Sequence, residues 1–279
     1  MPVVGRFHGL MGDDQTSTLW SHLVSWADLL DPVSVESGGS ALDLRTDWPR
    51  RWSVRWRRGG GEESLSVRDL AEAPLATIDP VRVFAWHRGQ RHRPGLQFLV
   101  STDRHHGFES LEEAKTLTAL DFAGDLLDVV SQPVKISFET FEGDRVHTPD
   151  YLAVVRHGVW LIDVRPTQLI KPADLVSFAA AAEVALACGW RYVVVARWRE
   201  YVSASLDAIS SQRRSLSDPL GLEPGLFASI SAGAGFGQAV AESRCEPVAR
   251  ALLLHLVWAR RVGVDLSRPL DNRSRLVLA

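Results

Sequence analysis

The chain is short of cysteine, short of lysine and free of long apolar runs, and each shortage narrows what it can be. Its 279 residues hold two cysteines, Cys188 and Cys245, which give neither a disulfide framework nor a metal-ligand spacing. No uninterrupted apolar stretch reaches the roughly 18 residues that suggest a membrane span. The opening Met1-Pro2-Val3-Val4-Gly5-Arg6 lacks a basic segment followed by an apolar one, so no signal peptide is expected and the expected location is cytoplasmic. Excess charge is missing too. A net charge of -3 does not advertise a nucleic-acid binder, although global charge is a poor guide when a site itself gathers acids. Of the 31 basic residues only Lys115, Lys135 and Lys171 are lysines, a bias that usually reflects GC-rich coding. What remains is ordinary for a folded chain of one to three domains, with 46% hydrophobic and 23% charged residues.

The pattern along the chain divides it into three. Residues 1–105 are expected to hold a helix over 19–30, a Ser/Gly-rich link at 37–40, and short strands at 52–56 and 82–86, with Gly59-Gly60-Gly61 as a turn. Residues 106–200 read as a helix at 110–122, then strands at 134–141, 145–155 and 159–164. A helix from Pro172 to about 187 follows, stopped by Gly189, and then a buried-type strand at 192–196. This αβββαβ order defines the expected fold class, an α/β protein with a restriction-endonuclease-like core and a β-rich N-terminal region. Residues 201–279 should form a small helical, winged-helix-like region. Its expected parts are helices at 204–210 and 248–262, a Gly/Ser/Ala-rich link at 229–237 and a short terminal strand. The Gly233-x-Gly235-x-Gly237 run has no strand leading into it, so it reads as linker rather than a dinucleotide loop.

Chemistry concentrates in His147-Thr148-Pro149-Asp150-Tyr151 and Leu161-Ile162-Asp163-Val164-Arg165-Pro166. A Pro-Asp pair at one strand start, then apolar-apolar-Asp-x-basic on the next, is the pattern of a PD-(D/E)xK nuclease metal site. The turn at Arg156-His157-Gly158 makes the two segments a hairpin, which would bring Asp150 and Asp163 together. Phosphodiester hydrolysis needs an activated water and charge stabilisation on the phosphate. Mg²⁺ supplies both from a few hard oxygen ligands, with Mn²⁺ as a substitute. Asp150, Asp163 and the Val164 carbonyl are candidate ligands. Arg165 lies two residues after Asp163 and so on the same strand face. The signature asks for lysine there; arginine clamps phosphate well but is a poor base. The other account of Asp163 is a structural ion pair with Arg165 or Arg145. A third acid is sought in Glu109, Glu112 and Glu113, although Ser110-x-x-Glu113 also spells a capping box that would use Glu113 at the helix start. Arg50, Arg51, Arg55, Arg57 and Arg58, interleaved with Trp48, Trp52 and Trp56, either grip nucleic acid or form a solvated strand face over buried tryptophans.

With these segments in one order, the chain resembles the TnsA-like endonuclease subunits of heteromeric transposases. The likeness runs from about 80 to 195. It rests on Trp86-His87-Arg88-Gly89-Gln90-Arg91, Gly107-Phe108-Glu109-Ser110 with Glu113, Leu120-Asp121-Phe122, Ser131-Gln132-Pro133, the two acid motifs, Ile170-Lys171-Pro172 and Cys188-Gly189-Trp190. Leu256-Val257-Trp258 and Val264-Asp265-Leu266 add to it. The resemblance implies a metal-dependent nuclease nicking the 5′ ends of a transposon in double-stranded DNA. A DDE transposase partner would cut the 3′ ends, with a regulatory ATPase as a further partner. It places the helix acid at Glu113, the Pro-Asp acid at Asp150, the next site residue at Asp163, the lysine position at Arg165 and a characteristic glutamine at Gln132. Read from the residues, Arg88, Arg91 and Arg93 make a second candidate DNA-contact patch, and Lys171, six residues after Arg165, is a candidate DNA contact or a source of the missing ammonium. Three outcomes are open: a working transposase-associated nuclease, a DNA-binding subunit of the same fold in which Arg165 neutralises the old metal site, or a free-standing restriction or repair nuclease.

Overall fold

Two four-stranded sheets occupy the middle of the molecule, and the chain passes from one to the other at Pro149. The computed structural model describes residues 18–70, 79–81 and 94–279. The strand expected at 82–86 and the motif Trp86-His87-Arg88-Gly89-Gln90-Arg91 lie outside the described residues.

After the one-turn helices α1 (Glu36–Gly39) and α2 (Trp48–Arg51) come β1 (Ser53–Arg58), β2 (Gly61–Ser66) and α3 (Val67–Leu70). A hairpin of β3 (Gly95–Leu99) and β4 (Arg104–Phe108) leads to α4 (Leu111–Ala123). Next are β5 (Leu126–Ser131), β6 (Lys135–Thr140), β7 (Gly143–His147), β8 (Tyr151–Val155), β9 (Gly158–Val164), α5 (Pro172–Ala187) and β10 (Arg191–Val195). The first sheet has the order β2-β1-β6-β7, and the second β10-β9-β8-β5. In the second, β9 and β10 run parallel and the other pairs antiparallel. The protein is thus a mixed α/β chain.

The second sheet is covered on both faces, as a sheet holding a parallel crossover usually is. Tyr151, Ala153, Val155 and Ile162 face α4 and pack with Leu117 and Leu120. Leu152 and Leu161 face α5, against Ala180, Ala181 and Val184. Gly38 is where α1 meets α5; an added Cβ would lie 2.0 Å from the Leu175 carbonyl oxygen.

Several expectations need correction. The single strand expected at 145–155 is two strands in different sheets. Pro149 has no N–H for a ladder and breaks the run. The strand expected at 134–141 consequently pairs with β1 and β7 rather than with the acid-bearing strands. Its place beside β8 is taken by β5, so the helix, three strands, helix, strand order around the second sheet is α4-β5-β8-β9-α5-β10. The helix expected over 19–30 reduces to a 3₁₀ turn at Trp26–Leu29. Its flanks are extended, with Trp20 bridged to Asp265 and Leu30 to Trp198. The links expected at 37–40 and 229–237 are also packed structure. The first holds α1, and the second holds the end of α7 (Glu223–Ser231) and the start of α8 (Phe236–Ala241).

The remaining helices are α6 (Val202–Ser210) and α9 (Glu246–Trp258), and the chain closes with the antiparallel pair β11 (Val262–Val264) and β12 (Leu276–Leu278). Their apolar faces share one core with Ala119 and Phe122 of α4. Arg260 ties the same region together, its guanidinium donating to the backbone carbonyls of Ala123, His22 (2.8 Å) and Val24 (2.9 Å). No helix among the described residues is long and apolar enough to cross a membrane.

Candidate active site

The β8/β9 hairpin is set by Gly158, whose φ of +136° suits the turn. Its register pairs Tyr151 with Ile162, which puts Asp150 opposite Asp163. The Asp150 N–H donates to the Ile162 carbonyl at 3.0 Å, and Asp150 Oδ2 accepts from the Val164 N–H at 2.7 Å. The two carboxylates are therefore cross-strand neighbours on the α5 face of the sheet. They open into a cleft of about 590 Å³ whose wall also includes Glu113, Val164, Arg165 and His147. Four of the five proposed catalytic residues meet here.

Asp163 is 3% exposed and has two partners that the residue pattern did not indicate. His147 Nε2 lies 2.9 and 3.0 Å from its two oxygens, and the Tyr192 hydroxyl donates to Oδ2 at 2.7 Å. An ionised carboxylate only accepts, so the imidazole carries a proton on Nε2. Burial works against the imidazolium of His147, but the charge and hydrogen bond of Asp163, with Asp174 beyond, hold its pKa above the ordinary value. Tyr192 is deeply desolvated and faces Asp163, so its hydroxyl stays protonated far above the usual range. The ion pair suggested for Asp163 with Arg165 or Arg145 is not formed. Arg145 bonds Glu142 at 3.1 Å, and Arg165 turns to Asp174, Nε to Oδ2 at 3.4 Å. A period-two reading of β10 could have found Tyr192. In the parallel register it sits beside Leu161, on the face that carries Asp163.

Glu113 forms the capping box that the sequence offered and also stands on the cleft wall. Its N–H donates to the Ser110 hydroxyl at 3.2 Å, and its carboxylate accepts from the Ser110 hydroxyl and the Glu109 N–H, both at 2.8 Å. The helix start is capped, and the same carboxylate lies on the cleft wall. Burial, with the charge of Glu109, pushes its pKa up against those hydrogen bonds. For Asp150 the imbalance is larger: burial, then Asp163, then Glu113 raise its pKa well above the normal carboxylate range. Three acids crowd one site with too little positive charge to balance them.

The other expected residues lie elsewhere. Gln132 is buried with φ +46°, and its N–H donates to the Asp150 carbonyl at 2.7 Å. It positions the backbone of Asp150 from behind rather than lining the cleft. Lys171 precedes α5, is exposed, and donates its N–H to Asp174 Oδ2 at 2.9 Å. On α2, Arg50 bonds Asp47 at 3.2 Å, and Arg51 bonds Glu139 of the first sheet at 2.9 Å. Arg55 of β1 lies 3.6 Å from Glu62. Arg57 and Arg58 continue the same strand, while Trp52 and Trp56 are core. None of these five arginines lines the cleft. Arg88, Arg91 and Arg93 lie outside the described residues.

Among the described residues no group of three or more His, Cys, Asp or Glu is gathered tightly enough to hold a metal ion by itself. Mg²⁺ asks for less, commonly one or two carboxylates with the rest of its shell as water. The adjacent pair Asp150 and Asp163 satisfies that demand, and the raised pKa of Asp150 is the imbalance that a bound cation would relieve. No family model matches the chain, and no curated protein matches it either.

Proposed function

We propose that the chain is a Mg²⁺-dependent DNA endonuclease with a restriction-endonuclease-like core. In this reading it is the TnsA-like subunit that nicks the 5′ ends of a transposon beside a DDE transposase, with a regulatory ATPase in the same assembly. The observation that carries it is the cross-strand placement of Asp150 against Asp163 in a cleft shared with Glu113. The α4-β5-β8-β9-α5-β10 arrangement supports the core assignment.

Asp150 and Asp163 would hold the ion, with Glu113 and the Val164 carbonyl completing the protein side. Mg²⁺ there, or Mn²⁺ in its place, supplies an acidified water and neutralises charge on the phosphate. His147 and Tyr192 fix the orientation of Asp163 through the hydrogen bonds described, as outer partners of a metal-binding carboxylate do. Arg165, with its side chain 39% exposed on the cleft wall, can leave Asp174 and clamp a phosphate through two N–H groups. Glu113 keeps the rim of the cleft rigid through its cap on α4.

The direct test is nicking of a supercoiled plasmid carrying a transposon end, with Mg²⁺ and the partner transposase present. The wild type should nick and Asp150→Ala should not; equal nicking by both would refute the assignment. A second reading has its own observation. Asp163 is already held by His147 and Tyr192, and Arg165 by Asp174, which favours a subunit that binds DNA without cutting it. Arg165→Lys separates the two, raising the nicking rate in the first and restoring nothing in the second.

A further inference from the structure

Beside the acid cleft lies a second groove of about 600 Å³ that shares two wall residues with it, Glu112 and Pro166. Its chemistry differs from that of the cleft. Lys115, Arg197 and Arg199 contribute three cations, against the carboxylates of Glu112 and Asp207. Tyr201 stands on its wall with 39% of its surface exposed.

The groove is built by the same elements that present the acids. Lys115 is one helical turn along α4 from Leu111 and Glu112. Arg197 and Arg199 follow directly after β10, the strand paired with the one bearing Asp163. Glu112 joins the two spaces, its carboxylate accepting from Lys115 Nζ at 2.8 Å and from Trp198 Nε1 at 3.2 Å. Arg199 is anchored by its N–H on the Leu29 carbonyl at 3.1 Å and its Nε on the Leu30 carbonyl at 3.4 Å. Arg197 pairs with Asp31 at 2.6 Å through side chains 61% and 42% exposed. A solvated pair of that kind contributes little and exchanges readily for a phosphate. Tyr201 itself has φ +66°, a region that residues with a Cβ rarely adopt. That conformation is the N-cap of α6, and the Tyr201 hydroxyl is hydrogen-bonded to Glu200, so the ring is held in place on the groove wall.

We propose that this groove is the track of the DNA strand on which the acid cleft acts. Its phosphates would pass over Lys115, Arg197 and Arg199, and one base would stack on Tyr201. The assignment of the cleft as a nuclease site underlies the choice of DNA. Cations along a backbone path with an aromatic platform are how proteins grip a nucleic-acid strand without reading its sequence. The arrangement moves the expected DNA contacts away from Arg50, Arg51, Arg55, Arg57 and Arg58, none of which lines the acid cleft or the groove beside it.

The test is fluorescence anisotropy with a short labelled oligonucleotide, single-stranded and as its duplex, in EDTA so that binding is read without cleavage. Combined replacement of Lys115, Arg197 and Arg199 by alanine should weaken binding more than tenfold. It should also flatten the dependence of log affinity on log salt by roughly 2 to 3, about 0.7–0.9 per lost phosphate contact. Tyr201→Gly, which suits the backbone, should leave the melting temperature intact yet weaken the single-stranded probe by about tenfold. Tyr201→Phe should retain affinity. Equal binding by the wild type and the groove variants would overturn the proposal, as would no DNA binding by the wild type. Nicking by the wild type is scored separately. Groove-dependent binding in a protein that never nicks would sink the nuclease reading alone; a nicking wild type with unaffected groove variants would sink the groove alone.

Discussion

The two four-stranded sheets treat their charged residues in opposite ways. In the first and in α2 before it, the arginines of 50–58 lie toward solvent, three of them bonded to acids of the protein, over a core of Trp52, Trp56 and Phe138. Such a surface is in balance, and its energetics reside in the buried aromatic area beneath. In the second, Asp150, Asp163 and Glu113 are drawn out of solvent toward one another, and two of them have pKa values raised by burial and neighbouring acids. Both regions looked promising in the sequence, one for density of charge and one for spacing. The difference teaches that charge density on an exposed strand says little, whereas an unbalanced group of buried acids calls for an explanation in function.

The comparison can be broken at three points. The largest effect is expected at His147. Its removal in His147→Ala leaves Asp163 with Tyr192 alone, so nicking or metal affinity should fall by about 10–100-fold. His147→Gln, which keeps an N–H donor, should recover part of the loss. An unchanged rate would mean that the imidazole is incidental. A smaller effect concerns stability. The folded-state pKa of Asp150 is raised, so protonation favours the fold; that stability is complete below the unfolded value and is lost as pH rises through the folded one. In metal-free buffer near neutral pH, Asp150→Asn should therefore raise the melting temperature by about 2–4 °C, on the order of 1 kcal/mol. The gain should shrink in acid and should also shrink when Mg²⁺ stabilises the wild type. A lower melting temperature for Asp150→Asn at neutral pH would contradict the imbalance. The smallest effect belongs to the first sheet. Arg55→Ala should change stability by no more than about 0.5 kcal/mol and leave DNA affinity intact. A large loss of affinity would restore the arginine cluster as a DNA contact.

Much of this arrangement was legible in the residues, for identifiable reasons. Gly158 marked the turn, so the pairing of Asp150 with Asp163 followed from spacing alone, although the strand expected at 145–155 ran through the break at Pro149. Ser110 and Glu113 marked the start of α4, and Pro172 and Gly189 bracketed α5. What escaped were features decided by partners far away in the chain. The strand β5 carries Leu126-Leu127-Asp128-Val129-Val130 with no clear alternation, and its pairing with β8 is what defines it. The segment before residue 30 has helical composition, yet its bridges to Asp265 and Trp198 hold it extended. His147 belongs to one sheet and Asp163 to the other; only the turn of the chain at Thr148-Pro149 makes them neighbours. The second groove needed the α4 and β10 ends side by side, which no local pattern announces.

The central claim is that Asp150 and Asp163 form one cation site, and calorimetric titration of Mg²⁺ or Mn²⁺ into the wild type, Asp150→Ala and Asp163→Ala tests it most directly. The account predicts binding to the wild type that either substitution abolishes. No binding to the wild type with DNA present, or binding that survives both substitutions, would contradict it.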